Sequence, residues 1–185
     1  EYTLDKHRAC FELAQNLDAK YVVIHTNSLA ARTKDRIAAQ KELLPERMAM
    51  TADIAKQFGL RIAVENVGFG YNNSLVAELS DFIGIAQNRE LDFLIDTGHA
   101  HANGWDLPML ISTLSSRITG FHFHDNDGSE DSHMPIGSGN SEWKNIFEAI
   151  KRSAYSADRT IEYAAPYANE IISGIKLLKS RFENK

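Results

Sequence analysis

The chain has 185 residues, of which 43% are hydrophobic and 24% are charged, and its formal net charge at pH 7 is -5. This length and composition predict a single folded domain with a sizeable core and argue against disorder. The acidic balance disfavours a protein that holds nucleic acid through a general basic field, although a local basic groove would still permit it.

Cysteine content and hydropathy indicate the cellular compartment in which the protein folds. The one cysteine, Cys10, cannot form an internal disulfide, which is typical of a reducing interior. The sequence shows neither an apolar stretch long enough to span a membrane nor a signal-like start. We therefore expect a cytoplasmic protein without a membrane partner. The sequence does not fix its oligomeric state.

Helical and strand-like patterns alternate along the chain. Apolar periodicity predicts helices over 4–17, 35–58, 74–87, 107–114, 142–152 and 168–182. Short β-rich runs predict strands at YVVIH (21–25), RIAVEN (61–66), DFLID (92–96), ITGFHFHD (118–125) and RTIEY (159–163). In the second helix, Pro45 is expected near the beginning, where proline is tolerated. Such alternation predicts a parallel sheet with right-handed crossovers.

The positions of the polar residues distinguish two parallel α/β architectures. An open doubly wound sheet gathers its functional groups at one switch point, whereas here every predicted strand carries a candidate at its C-terminal end. This pattern favours a (β/α)8 TIM barrel. Such a barrel needs eight strands and typically ~250 residues, and five strands are visible. We expect residues 1–185 to be one domain, the C-terminal portion of a barrel that lacks about three N-terminal strands; undetected strands are the alternative.

Histidines and carboxylates collect where the predicted strands end. They are His25, Glu65, Asp96, His99, His122, Asp131, His133 and Glu162. Imidazole and carboxylate without thiolate suit several divalent metals, so the pattern predicts a metal site with zinc or manganese favoured and magnesium or cobalt open. Carboxylates at the ends of buried strands need a partner, and for Glu65 and Glu162 the alternative partner is an arginine.

Some residues have more than one interpretation. Strand alternation places His122 and His124 on one face, which favours His122 as a ligand and leaves His124 as a substrate contact or a histidine held near Asp125. Asp131 and His133 lie in the long irregular stretch 126–141, which we expect to be an active-face loop. Trp105, and also Phe69 and Tyr71, are candidates to line a substrate pocket, whereas Trp143 is expected in the core.

Six short strings together resemble the xylose isomerase-like barrel superfamily over essentially the whole chain. They are IHTN, AVEN, IDTGHAH, FHFHD, DSHMPIGSGNSEW and IEY. This superfamily joins sugar isomerases and epimerases with endonuclease IV-type enzymes (AP endonuclease family 2). In the isomerase branch the resemblance implies one divalent ion on Glu65, Asp96, His122 and Glu162, with the two glutamates as acid and base.

In the endonuclease IV branch the resemblance implies a cluster of three zinc ions. The additional ligands in that branch would be His25, His99, Asp131 and His133. One further histidine of that cluster has no counterpart in this chain. The ligand pattern therefore implies one to three ions and leaves the branch open.

Two enzyme functions and one non-catalytic function follow. We expect a metal-dependent isomerase or epimerase of a sugar, sugar phosphate or keto acid, in which Glu65 and Glu162 transfer the proton and His99, His124 and Trp105 contact the small substrate. The alternatives are a zinc-dependent abasic-site phosphodiesterase and a relic that only binds metal. The acidic charge favours the first function, while the fuller ligand set favours the phosphodiesterase.

Overall fold

The computed structural model describes residues 2–26, 34–68, 75–76 and 78–183. Five strands alternate with helices: β1 (Tyr21–His25), β2 (Arg61–Glu65), β3 (Asp92–Asp96), β4 (Ile118–Phe123) and β5 (Asp158–Ile161). The helices are α1 (Tyr2–Asn16), α2 (Lys34–Gln57), α3 (Leu79–Ile85), α4 (Thr97–Ala102), α5 (Leu107–Leu114), α6 (Trp143–Ser153) and α7 (Ile171–Phe182). Short 3-10 helices cover Ser115–Arg117 and Ala165–Glu170. Within these ranges, no helix has the length and apolar character needed to cross a membrane.

All five strands run parallel in one sheet, and their spatial order is their order in the chain. Because neighbouring strands point the same way, their C-terminal ends lie along one edge. The register places His25 beside Glu65 and Asp96 beside His122. The sheet therefore brings together residues that are far apart in sequence, and the α/β prediction is confirmed.

The core lies between the sheet and its helices. In β2, Ile62, Ala63 and Val64 are all buried, which is typical of a parallel strand covered on both faces. Phe82 of α3 packs edge-on against Phe93 of β3, with ring centroids 5.3 Å apart. These contacts hold the strands in place from one side and leave their C-terminal ends free to carry polar groups.

Strands β4 and β5 end two residues earlier than predicted, and three helices differ more from the sequence prediction. Helix α2 begins at Lys34, so Pro45 lies in its interior and leaves the carbonyl four residues earlier without its helical donor. Helix α3 is shorter than predicted, covering seven residues. Helix α4 was not predicted at all; it begins because the Asp96 carboxylate caps it by accepting a hydrogen bond from the His99 amide at 2.7 Å.

Candidate metal centre

Four side chains from the ends of four strands meet at the C-terminal edge of the sheet. The strand-end group consists of Glu65, Asp96, His122 and Glu162, which offer ligand atoms that all lie within 4.8 Å of one another. His122 Nδ1 lies 3.1 Å from a Glu65 oxygen, 3.0 Å from a Glu162 oxygen and 3.8 Å from Asp96 Oδ2. Three carboxylates therefore surround one imidazole.

In the strand-end group, the pKa of each side chain depends on the charges of its neighbours. Burial would raise the pKa of the Glu65 carboxyl, but hydrogen bonds from His122 and His25 lower it to about 2. Burial likewise would lower the pKa of His122, but the carboxylates of Glu162 and Glu65 raise it to about 10. The hydrogen bond with His122 lowers the pKa of Glu162. Without a metal, the group holds a protonated imidazole between carboxylates, and a divalent ion would compete with that proton.

Asp96 provides a direct test of whether the strand-end group fits a cation. Its side chain is fully buried, and Oδ1 caps α4. Oδ2 is buried and accepts no hydrogen bond from any residue that the structure describes. A buried carboxylate oxygen needs a compensating partner, and a cation bound among these four side chains would supply it.

A second set of side chains lies on α4, just after β4, and on the long loop. This loop group consists of His99, His124, Asp131 and His133, again with ligand atoms within 4.8 Å of one another. Asp131 Oδ2 lies 3.0 Å from His99 Nε2 and 3.4 Å from His133 Nε2. The ring of His124 stacks on that of His133 with centroids 3.8 Å apart.

The loop group has the same electrostatic character. Burial would lower the pKa of His99, but Asp131 and Asp96 raise it to about 9. The hydrogen bond with Asp131 also raises the pKa of His133 to about 9. His124 Nε2 lies 2.8 Å from Asp96 Oδ1 without the alignment of a hydrogen bond, and neither ring nitrogen has a hydrogen-bond partner in the described chain. Buried, unsatisfied nitrogens fit a ligand atom better than a packed histidine.

One residue beside the site has partners other than those that the sequence indicated. Asp125 does not hold His124; its carboxylate accepts hydrogen bonds from the loop that follows. Trp105 is 8% exposed and packs against Phe82 with centroids 5.5 Å apart, and it also lines a surface cavity beside His101, so its contact with a substrate stays a prediction. Phe69 and Tyr71 lie outside the described residues.

His25 and Trp143 lie at the margins of the site. His25 Nε2 lies 3.0 Å from Glu65 Oε2, and its side chain is about half exposed, so it contacts the strand-end group through Glu65. Trp143 is partly buried against the core, and its Nε1 donates to Asp125 Oδ2 at 2.7 Å. The role of His25 as a further metal ligand stays a prediction.

Asn66 is a site residue that sequence reasoning did not single out. Its Nδ2 donates to the Asp96 carbonyl and its Oδ1 accepts from the Asp96 amide, both at 2.9 Å. Its own carbonyl lies 2.9 Å from His99 Nδ1. This fixes the end of β3 to the end of β2 and points His99 Nε2 at the loop group. The sequence signal that could have identified Asn66 is an amide side chain directly after Glu65, at the end of a predicted strand.

Comparisons with known proteins agree with this architecture. A family model described as xylose isomerase-like TIM barrel matches residues 1–181. An uncharacterised protein of Methanocaldococcus jannaschii is 25% identical over 164 residues, which cover 86% of this chain and 56% of that protein. This chain therefore spans little more than half the length of the curated relatives that it matches.

Two solved structures show the same fold at lower sequence identity. The crystal structure of a D-tagatose 3-epimerase-like protein has a TM-score of 0.82 and 23% identity, covering 95% of this chain and 67% of the other. The IolI protein with a bound zinc atom has a TM-score of 0.76 and 20% identity, covering 97% and 69% of the two chains. Because the family model matches nearly the whole chain, this protein belongs to the xylose isomerase-like TIM barrel family.

Proposed function

We propose that the protein is a divalent-metal-dependent isomerase or epimerase of a small sugar-like substrate, with Glu65 and Glu162 as the proton-transferring residues. One observation supports this above all. The two glutamates come from the ends of different strands and approach the same imidazole, His122, at 3.1 and 3.0 Å. Two carboxylates at one cation site suit the removal of a proton from a substrate carbon and the return of a proton.

The two glutamates differ in their access to a substrate. The Glu65 side chain is 4% exposed and is tied to both His25 and His122, so its carboxylate is fixed in position. The Glu162 side chain is 44% exposed and can meet a substrate that enters from the C-terminal edge of the sheet. One glutamate, as a carboxylate, would take the proton from the substrate carbon. The other would first take up a proton from solvent and then deliver it, as a carboxylic acid, to the product.

The donor set also fits the cofactor that this chemistry needs. A divalent ion bound by the strand-end group would polarise adjacent carbonyl and hydroxyl oxygens of the substrate and acidify the C–H bond between them. Asp96 would serve as a ligand through its unpartnered Oδ2 and at the same time cap α4 through Oδ1. Zinc and manganese suit the mixed nitrogen and oxygen ligands.

The known structures support the substrate class without fixing it. The D-tagatose 3-epimerase-like protein is named for a sugar epimerase, and the IolI structure carries zinc. Both are less than 25% identical to this chain, so the metal, the sugar and the activity of the whole protein all belong to the proposal. The acidic net charge of -5 favours a small substrate over a polyanion.

The loop group favours a second candidate function. With His25 beside Glu65 and four further ligand atoms on His99, His124, Asp131 and His133, the site has enough donors for more than one ion. Clustered ions suit phosphodiester hydrolysis because they neutralise the developing phosphate charge. The alternative is therefore a zinc-dependent abasic-site phosphodiesterase.

We also propose that residues 1–185 form the C-terminal portion of a single barrel domain. Among the described strands, β1 and β5 each pair on one side, and neither pairs with the other. The flanking segments expose apolar side chains there, including Leu17 after α1 and Ile172 of α7. Further strands of the same protein would cover these edges and close the barrel.

Metal content and solvent deuterium exchange test the proposed function together. We would measure metals per chain in protein purified without chelator, and then incubate it with ketoses in D2O. About one ion per chain and deuterium incorporation at the carbon next to the carbonyl would support the proposal. Close to three zinc ions, with cleavage of abasic-site DNA and no ketose turnover, would favour the phosphodiesterase instead.

Two variants identify the residues responsible. Glu162→Gln and His122→Ala should lower turnover by about 10²- to 10⁴-fold with the fold retained, because both side chains serve the site more than the core. Glu148→Gln changes an exposed carboxylate on α6 in the same way and should leave turnover unchanged. Wild-type turnover in either site variant would refute the assignment.

A further inference from the structure

Asp125 belongs to neither ligand group, yet it is fully buried and its carboxylate is saturated with hydrogen bonds. Oδ2 accepts from the amides of Gly137 and Gly139 at 2.9 and 3.0 Å and from Trp143 Nε1 at 2.7 Å. Oδ1 accepts from the Ser141 hydroxyl at 2.6 Å. The adjacent Asn126 amide also donates to Oδ1 at 2.9 Å, and the other donors belong to the far end of the long loop or to the start of α6.

The backbone of Asp125 holds the same loop at a second point. Its amide donates to the Met134 carbonyl and its carbonyl accepts from the Met134 amide, both at 2.8 Å. Met134 directly follows His133, whose φ of 46° lies in the left-handed region that a non-glycine residue adopts only when its surroundings impose it. The bridge to Asp125 is part of what imposes it.

The contact between the loop and Asp125 leaves no spare room. A Cβ at Gly139 would lie 2.1 Å from the Asn126 carbonyl oxygen and 2.6 Å from Asp125 Oδ1. Glycine is therefore required for the backbone to approach this closely. The anchor depends on both partners, a buried carboxylate at the end of β4 and a loop that approaches it without side chains.

We propose that Asp125 is a positioning residue for the loop group: it fastens residues 134–143 to the end of β4 and so brings Asp131 and His133 against His99 and His124. The inference rests on the second candidate function in one respect, that the loop group binds a further divalent ion. The strand-end group depends on this anchor less, because Glu65, Asp96 and His122 belong to strands. The Glu162 amide donates to the Phe123 carbonyl of β4 at 3.1 Å, and among the described contacts the loop reaches the group only at the Glu162 backbone, where the carbonyl lies 2.8 Å from His133 Nδ1. Loss of Asp125 should therefore separate the two groups.

The substitution Asp125→Asn tests the anchor with almost no change in shape. An amide replaces one acceptor oxygen by an N–H donor, and both carboxylate oxygens of Asp125 face donors. In either orientation of the asparagine amide, its NH2 group then faces an N–H or O–H donor of the loop. Asp127→Asn is the matched control, because Asp127 lies in the same loop, is exposed and accepts only from Ser129 among the described contacts of its carboxylate.

Two measurements on the intact protein decide the proposal. In metal-free protein, amide hydrogen exchange over residues 132–143 should accelerate at least about tenfold in Asp125→Asn and not in Asp127→Asn, with protection of the strands retained. Zinc titration against a chromophoric chelator should show the first ion bound within twofold of wild type and the second at least about tenfold weaker.

Several outcomes would overturn the proposal. Unchanged exchange over 132–143 would show that the carboxylate does not hold the loop. Equal weakening of both ions, with general loss of protection, would show that Asp125 supports the fold as a whole. If the wild type binds one ion only, the loop group is not a metal site, and the proposal of Asp125 as its positioning residue fails even though the strand-end proposal stands.

A gentler variant keeps the test decisive if Asp125→Asn does not fold. Trp143→Phe retains the carboxylate and the aromatic packing while removing one of the donors to Oδ2. It should produce the same selective pattern, faster exchange over 132–143 and a weaker second ion, at about a two- to fivefold level. No change in either measurement, or equal loss of both ions, would overturn the proposal.

Discussion

The substitution Gly98→Ala adds a single methyl group that should displace His124 and so disturb the loop group. Gly98 is buried in α4, and a Cβ at this position would lie 2.0 Å from Cε1 and 2.1 Å from Nδ1 of His124. Real Cβ atoms do not approach other atoms so closely, so one partner has to move. The ring of His124 is fully buried between Asp96 and His133, which leaves it no free space.

Two opposing effects set the size of the change in the free energy of unfolding for Gly98→Ala. Replacing glycine by alanine within a helix stabilises by about 0.5–1 kcal/mol. Overpacking a filled interior costs about 1–3 kcal/mol. Since the clash is with a rigid buried ring, we expect overpacking to win by about 1–2 kcal/mol, which corresponds to a fall in Tm of roughly 2–8 °C for a domain of this size.

Gly84→Ala is the matched control, because Gly84 also lies in a helix and a Cβ there would meet no atom within 4 Å. This variant should be neutral or slightly more stable. Thermal unfolding of the metal-free proteins by circular dichroism or calorimetry measures both changes. A Gly98→Ala protein at least as stable as wild type, with Gly84→Ala behaving as expected, would refute the close packing of Gly98 on His124.

Two more predictions concern protons and packing. Burial lowers the pKa values of His122 and His99, but nearby carboxylates raise them to about 10 and 9. Zinc therefore has to displace protons and should bind more tightly as pH rises from 6 to 9. Calorimetry in buffers of different ionisation enthalpy measures the protons released, and an affinity independent of pH would contradict the prediction. Arg117→Met should destabilise the protein by about 2 kcal/mol in urea unfolding, since the guanidinium donates to the carbonyls of Ala86, Asn88 and Leu91. Zinc affinity should not change, because these contacts lie at the opposite end of β3 from the ligands; a weaker site would contradict that separation.

The strand-end group could be anticipated from the sequence for a simple reason. In a parallel sheet, an apolar run marks a buried strand, and the polar residue that closes it must lie at the C-terminal edge. Glu65 and Asp96 each close such a run, His122 is the last residue but one of β4, and neighbouring strands in sequential order place them side by side. Local patterns were therefore enough, because the sheet supplied the long-range geometry.

The loop group was harder to anticipate because its geometry depends on contacts that local patterns do not encode. Helix α4 has six residues and begins only because Asp96 turns its carboxylate onto the His99 amide. Alternation predicted His124 on the face of His122, and both rings lie near the Asp96 carboxylate. It did not predict the stacking of His124 on His133, which requires the loop to fold back. The same reasoning paired Asp125 with His124, whereas the loop amides supplied better donors for a buried carboxylate.

The two ligand groups consequently differ in how firmly they are built, and this difference bears on the chemistry. The strand-end group rests mainly on ladder hydrogen bonds and on the paired hydrogen bonds between Asn66 and Asp96, and the loop contacts it at the Glu162 carbonyl, which lies 2.8 Å from His133 Nδ1. Half of the loop group depends on a segment fastened by Asp125. A one-ion reaction at the strand-end group therefore tolerates variation in the loop, whereas a reaction that needs clustered ions requires the loop to be in place. Zinc stoichiometry in protein with the anchor intact and with the anchor broken thus bears on the choice between proton transfer and phosphodiester hydrolysis more directly than the ligand residues themselves do.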